Sequence, residues 1–68
     1  MEPVESSNIA AIGYNPDTAV LTIQFKKGGI YEYYDVPSHE HDALMGADSK
    51  GSYASQNVYK RYRQNKIG

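Results

Sequence analysis

A glycine pair between two strand-like segments constrains the fold of this chain more than any other feature. The first segment, residues 19–25, alternates apolar side chains with other residues, as a strand with one buried face does: Leu21, Ile23 and Phe25. The pair Gly28–Gly29 follows, and residues 30–36 form a second strand-like segment. Because glycine readily adopts the positive φ angles of tight turns, the sequence predicts a β-hairpin.

Turn and helix signals on both sides of this hairpin predict an α+β fold. Residues 8–14 are short and apolar, and the turn sequence "NPDT" separates them from the hairpin. Three strands are therefore predicted, in an antiparallel meander: 8–14, 19–25 and 30–36. Pro37 ends the third strand. Two short helices, near 38–46 and 49–62, are expected to pack on one face, because a meander alone is not stable in water.

The chain has 68 residues and no cysteine. That length suits a single domain, predicted to span 1–68 with flexible ends at 1–6 and 64–68. A domain this small has a thin core, and without cysteine no disulfide stabilises it. The lack of cysteine favours a reducing compartment. The chain also has no apolar run long enough to span a membrane, so we expect a cytoplasmic protein with no membrane segment.

Three closely spaced tyrosines, Tyr31, Tyr33 and Tyr34, raise the question of which face of the sheet they occupy. An odd number of residues in the hairpin loop would place Tyr31 and Tyr33 beside Phe25 in the core, whereas an even number would leave them on the outer face. On the outer face their rings would offer a platform on which bases stack. We expect them to complete the core, because so small a domain without tryptophan needs the apolar area that two buried rings provide.

Charge is distributed unevenly along the chain. All eight acidic residues lie within positions 2–48. Residues 49–68 contain no acid, and their cations are Lys50, Lys60, Arg61, Arg63 and Lys66. A basic tail on an acidic body predicts an anionic partner, although the tail could equally serve to neutralise the body.

Two segments of this tail contain residue types that bind phosphate. Ser49–Ser52, "SKGS", lies at the start of the predicted second helix, where free backbone N–H groups attract anions. Residues 59–63, "YKRYR", interleave rings that stack on bases with cations that bind phosphate. Each segment also has an ordinary explanation, as a helix cap in the first case and as a helix end with cations in the second.

The order of these motifs resembles the KTSC domain family over residues 6 to about 63. The hallmark of that family is a central Y-x-Y, matched by Tyr31-Glu32-Tyr33, and "DVP" after it and "SKGSY" at 49–53 also match. The family is named for its place at the C-terminus of some lysyl-tRNA synthetases, and it also occurs as small stand-alone bacterial and phage proteins. The resemblance implies RNA binding by association with the synthetases. The tail departs from the family's usual ending at Gln64 and Asn65.

No arrangement of residues in the sequence predicts catalysis or a metal site. His39 and His41 flank Glu40, but residues two apart on a helix do not face each other. We therefore predict a non-catalytic module, without a cofactor, that binds RNA or another phosphate-bearing ligand such as a nucleotide. The alternative is a protein-interaction module, accessory or phage-borne inhibitor, that docks through a tyrosine-rich surface. The predicted ligand-binding residues are Tyr31, Tyr33, Ser49, Lys50, Gly51, Ser52, Tyr53, Lys60, Arg61 and Arg63.

Overall fold

The computed structural model describes residues 1–68 and contains one antiparallel sheet and two helices. The five strands lie side by side in chain order. In sequence the elements are β1 (Glu2–Pro3), β2 (Ile9–Asn15), β3 (Val20–Phe25), β4 (Gly29–Tyr33), α1 (Ser38–Met45), α2 (Lys50–Asn57) and β5 (Gln64–Lys66). Neither helix has the length and apolar character needed to cross a membrane.

Two short edge strands distinguish this sheet from the predicted three-stranded meander. β1 pairs with β2, and β5 pairs with β4. The α+β class and the presence of three central strands are confirmed, but the predicted strand count is wrong and the third strand ends at Tyr33 instead of Val36. Both edge strands are exposed and are held by backbone hydrogen bonds, so they show no alternation of apolar residues that a sequence pattern could detect. The mobility of residues 1–6 and 64–68 stays a prediction.

The hairpin between β3 and β4 has an odd loop of three residues, Lys26–Gly28, because Phe25 pairs with Gly29. Gly29 has a φ angle of 87°, which glycine adopts without strain. The register then places two further pairs on the same face as Phe25: Ile23 with Tyr31, and Leu21 with Tyr33. The core position is thus confirmed for Tyr33, which is 2% exposed, whereas Tyr31 lies on the same face but is only half-buried and packs against the core.

The core lies between this face of the sheet and the two helices. Its buried apolar residues are Ile9, Ile12, Leu21, Ile23, Tyr33, Val36, Leu44, Ala54 and Val58. Leu21 and Ile23 have no exposed surface, as predicted, but Phe25 is only half-buried. Phe25 is the last residue of β3, next to the hairpin loop, and its ring packs against the edge of the core and borders an open cleft.

The first helix matches its predicted bounds within one residue, whereas the second is shorter than predicted. α2 ends at Asn57 instead of continuing to Tyr62, and Val58 is its C-cap residue, with a φ angle of −115°. The N–H group of Val58 still donates to the Ala54 carbonyl at 2.8 Å. Residues 58–61 form a turn instead. This turn directs the chain back to the sheet, where β5 begins.

Candidate ligand-binding site

An open cleft lined by aromatic rings lies on the helix-covered face of the sheet and has a volume of about 330 Å³. Strands β3, β4 and β5, the hairpin loop and the turn after α2 all contribute to it. We call it the aromatic cleft, and its lining residues are Phe25, Gly28, Tyr31, Tyr33, Tyr59 and Gln64. The odd hairpin loop creates this cleft, because that register brings Tyr31 and Tyr33 to the same face as Phe25.

The rings of the aromatic cleft form a stacked row with one ring standing across it. Tyr33 lies between Tyr31 and Tyr59, with centroid separations of 6.5 and 5.9 Å and interplanar angles of 25° and 26°. Phe25 meets Tyr31 at 83° and Tyr59 at 60°, both with centroids 5.8 Å apart. Offset and edge-to-face pairs at these separations attract each other. These contacts therefore hold the rings that line the cleft in place, and the almost fully buried Tyr33 forms its floor.

The hydroxyl of Tyr59 is buried and has no hydrogen-bond partner in the protein. Burial raises the pKa of Tyr59. Burial, followed by repulsion from the neighbouring Tyr59 and Tyr31 hydroxyls, also raises the pKa of Tyr33. Both hydroxyls therefore stay neutral and able to donate at physiological pH. A buried hydroxyl without a partner costs about 1–3 kcal/mol. Because this hydroxyl is closed off from solvent, an acceptor on a ligand would relieve that cost only if the ring moved toward the cleft.

A second hollow, of about 460 Å³, adjoins the aromatic cleft and is lined in part by two lysines. We call it the lysine hollow, and its lining residues are Ser7, Asn8, Phe25, Lys26, Lys27 and Gly28. It shares Phe25 and Gly28 with the aromatic cleft. Lys66 adds a third cation nearby, because it pairs with Tyr31 and so lies on the same face of the sheet. None of these three lysines forms an ion pair within the protein.

The predicted anion site at the start of α2 uses its polar groups inside the protein. The Ser49 hydroxyl caps the helix by accepting from the Ser52 N–H at 3.3 Å, and the Lys50 ammonium donates to a backbone carbonyl at 3.2 Å. A Cβ atom at position 51 would lie 2.6 Å from the side-chain oxygen of Asn8, so Gly51 permits the close approach of the helix. Capping and packing thus account for this segment, and ligand binding by it stays a prediction.

Two other predicted ligand-binding residues, Tyr53 and Arg61, contact the buried carboxylate of Glu40, which is 4% exposed. This carboxylate accepts hydrogen bonds from the hydroxyls of Tyr53 and Tyr62, the latter at 2.8 Å. The Nη1 atom of Arg61 lies 3.7 Å from it. We call these residues the glutamate clasp: Glu40, Tyr53, Arg61 and Tyr62. The clasp ties α1 to α2 and to the turn that follows α2.

The electrostatics of the glutamate clasp keep its carboxylate charged and its tyrosines neutral. Burial alone would raise the pKa of Glu40, but the hydrogen bonds from the two tyrosines and the neighbouring positive charge outweigh it and lower that pKa. The hydrogen bond to Glu40 raises the pKa of Tyr53, and burial together with the same kind of bond raises that of Tyr62. In the sequence Glu40 is only an acid in the first turn of a helix, so no pattern predicts this cluster.

The rest of the predicted set does not converge on the aromatic cleft. The guanidinium of Arg63 lies over the ring of Tyr34, 5.3 Å from its centroid, on the face of the sheet opposite Tyr33. Lys60 is exposed. His39 and His41 lie in α1, as expected of a helix start, and the ring of His41 stacks on Tyr14 with centroids 4.8 Å apart.

Sequence reasoning missed several residues that the structure brings to the cleft and the hollow. It assigned Phe25 wholly to the core and treated Lys26 and Lys27 only as part of a turn. Gln64 lay in a segment predicted to be flexible. The register of the hairpin is the signal that would have found them, because an odd loop places Phe25, the lysine pair and Tyr31 at one end of the same face.

Comparison with known proteins places the fold among characterised structures. Residues 5–62 match the family model of the KTSC domain. The crystal structure of a KTSC domain protein from Yersinia pestis has a TM-score of 0.97 and 42% sequence identity, and the match covers 98% of this chain and 94% of that one. A protein of Tsukamurella paurometabola is 43% identical over 93% of this chain and 94% of its own length.

A longer protein also contains a similar region. A lysine–tRNA ligase of Nostoc sp. is 36% identical over 93% of this chain, which corresponds to 11% of the ligase. The family model spans the Y-x-Y hairpin, both helices and the whole glutamate clasp. With a solved member that matches it along nearly the full chain, this protein belongs to the KTSC domain family.

Proposed function

We propose that this domain is a non-catalytic module that binds nucleobases, as part of RNA or of a nucleotide, in its aromatic cleft. The observation that carries the proposal is the preformed row of Tyr31, Tyr33 and Tyr59, with Phe25 standing across it beside an open volume. Aromatic side chains of this kind stack on bases with about 1–3 kcal/mol per base and little preference among them.

The charge around the cleft supports a phosphate-bearing ligand over a neutral aromatic one. Lys26, Lys27 and Lys66 are exposed and free of ion pairs, and neither the cleft nor the lysine hollow is lined by an acidic residue. Cations that neutralise phosphates provide the salt-dependent part of nucleic-acid affinity. The similarity to a lysine–tRNA ligase favours RNA among the ligands that share this chemistry. An RNA ligand would place the domain in the cytoplasm.

The proposal assigns phosphate contact to different cations from those that the sequence singled out. Lys50 donates to a backbone carbonyl, Arg61 faces Glu40, and Arg63 lies over Tyr34 on the opposite face of the sheet. Each would have to leave its partner to reach a ligand. The lysines beside the cleft have no such partner, so they meet a phosphate without that loss.

Titration of isotope-labelled protein with short RNA, short DNA and nucleoside monophosphates tests the proposal. We expect backbone amide shifts to concentrate at residues 25–33 and 59–66. Affinity should fall with salt: a plot of the logarithm of the binding constant against the logarithm of salt concentration should have a slope of about −0.7 for each phosphate contacted on a single strand. Shifts that avoid these residues for every ligand would contradict the proposal. Salt-insensitive binding of a protein partner at the cleft would instead favour a protein-interaction module.

Replacement of Tyr31 separates stacking from general charge attraction. Tyr31→Ala should weaken binding by about 1–3 kcal/mol through the loss of a stacking surface. Tyr34→Ala is the matched control, because it removes the same side chain from the opposite face of the sheet. If both variants bind like the parent protein in the same titration, the aromatic cleft is not the base-binding surface.

A further inference from the structure

The lysine hollow has no role in the core or in the glutamate clasp, yet it adjoins the aromatic cleft. We infer that this hollow is a phosphate subsite: a nucleotide unit binds with its base in the aromatic cleft and its phosphate beside Lys26 and Lys27. This inference rests on the proposed function and adds the place of the phosphate contact to it.

The boundary between the two hollows supports a ligand that spans both. Phe25 and Gly28 line each of them, so the base-binding rings and the lysine pair are neighbours on one surface. A Cβ atom at Gly28 would lie 3.3 Å from the Cβ atom of Phe25, which is tighter than ordinary packing. Any larger residue at position 28 would therefore put atoms where the two hollows meet. Glycine leaves that junction clear for a ligand.

The hairpin loop holds the lysine pair in a defined place. The backbone N–H of Lys26 donates to the Asn8 carbonyl at 2.9 Å, which fastens the loop to the segment before β2. Ser7 and Asn8 add neutral polar groups to the lining. The side chains of Lys26 and Lys27 remain exposed, without ion pairs. Lysine binds phosphate as a point charge, so two lysines beside uncharged polar groups suit a phosphate that is partly in solvent.

Binding of a nucleoside, its 5′- and 3′-monophosphates and a trinucleotide of the same base tests the subsite. In the parent protein at low salt, one of the monophosphates should bind about tenfold more tightly than the nucleoside. Lys26→Gln and Lys27→Gln should each greatly reduce the ratio of monophosphate affinity to nucleoside affinity and leave the nucleoside affinity itself unchanged. Both positions are exposed, so these variants should fold.

Thr18→Glu is the control for net charge. It changes the charge by one unit, as each lysine variant does, but at an exposed turn residue at the opposite end of β3 from the hairpin loop. It should leave the ratio of monophosphate to nucleoside affinity unchanged. If the lysine variants change this ratio no more than Thr18→Glu does, the phosphate subsite is overturned.

The remaining outcomes separate this inference from the proposed function. A nucleoside that binds in the cleft as tightly as both monophosphates would overturn the subsite but leave the base-binding cleft standing. No binding of any of these ligands would overturn both. Where the lysine dependence is seen, equal affinity for monophosphate and trinucleotide identifies a free nucleotide as the source of the phosphate. Tighter binding of the trinucleotide identifies RNA.

Discussion

Two groups of tyrosines in this domain use similar side chains but leave their hydroxyls in different states. In the glutamate clasp, Tyr53 and Tyr62 both donate to the buried carboxylate of Glu40. In the aromatic cleft, the buried hydroxyl of Tyr59 has no partner, and the rings border an open volume. Satisfied polar groups stabilise a fold, whereas an unsatisfied group beside an opening leaves a contact for a ligand. The number of tyrosines in the sequence therefore does not indicate a function unless the partners of their hydroxyls are known.

The largest expected effect falls on Tyr33, which belongs to both the core and the cleft. Tyr33→Ala should lower the free energy of unfolding by about 3–5 kcal/mol, as truncation of a buried aromatic residue does. Urea denaturation measures this. Tyr34→Ala is the control, because its ring is half-buried on the opposite face and should cost less. Equal losses would show that the floor of the cleft is not part of the core.

Removal of the carboxylate at the centre of the clasp should have the next largest effect. Glu40→Ala leaves the hydroxyls of Tyr53 and Tyr62 without their acceptor, so we expect the free energy of unfolding to fall by about 2–4 kcal/mol. Glu32→Ala is the matched control, because Glu32 accepts from the Tyr34 hydroxyl at 3.1 Å but is half-exposed. Ligand affinity of the folded Glu40 variant should stay unchanged, and a selective loss of binding would show that the clasp is part of the site.

The clasp should also make stability depend on pH. The pKa of Glu40 in the folded protein is lower than its ordinary value of about 4.3. Its stabilising contribution is therefore fully present above that ordinary value and is lost as pH falls through the lower, folded-state pKa. Melting temperature measured from neutral to acidic pH should fall more steeply in the parent than in Glu40→Gln, whose amide does not titrate. Parallel curves would mean that protonation of Glu40 does not cause the loss of stability at acidic pH.

Removal of single tyrosine hydroxyls should change stability least, and it tests the contrast between the cleft and the clasp most directly. Tyr59→Phe removes a hydroxyl that has no partner, so stability should stay the same or rise by up to about 1 kcal/mol, while ligand affinity should fall. Tyr62→Phe removes a hydroxyl that donates to Glu40, so stability should fall by about 1 kcal/mol. Thermal melts of the two variants side by side measure both. A loss of stability in Tyr59→Phe equal to that in Tyr62→Phe would remove the distinction between the cleft and the clasp.

Turn chemistry explains why the central part of the fold could be predicted from the sequence. The segment "NPDT" and the glycine pair separate three strands, and the first helix begins directly after Pro37, as the sequence indicates, although the third strand ends at Tyr33. β1 and β5 could not be predicted, because they are too short and polar to show a period and are defined by backbone pairing, which for β5 joins residues far apart in the chain.

The site was harder to predict than the fold because its residues depend on geometry that short patterns do not contain. "YKRYR" looked like one basic aromatic surface, yet the turn after α2 sends Tyr59 to the cleft, Arg61 to Glu40 and Arg63 to the opposite face. "SKGSY" looked like an anion site, yet its serine caps the helix and its tyrosine binds Glu40. The Y-x-Y motif was placed on the correct face only through the argument that so small a domain needs its rings in the core, because the glycine pair left the loop length open.

The late position of β5 in the chain has a consequence for how the cleft forms and opens. The central strands make local contacts, whereas β5 pairs with β4 across both intervening helices, so we expect the cleft to be completed late in folding. In the native state, a strand of three exposed residues at the edge of a sheet should open locally at a lower cost than the central strands. The amide hydrogen of Ile67, which donates to the Ile30 carbonyl, should therefore exchange with solvent sooner than those between β2 and β3. Such an opening would widen the cleft from its Gln64 side and admit a ligand while the core stays folded.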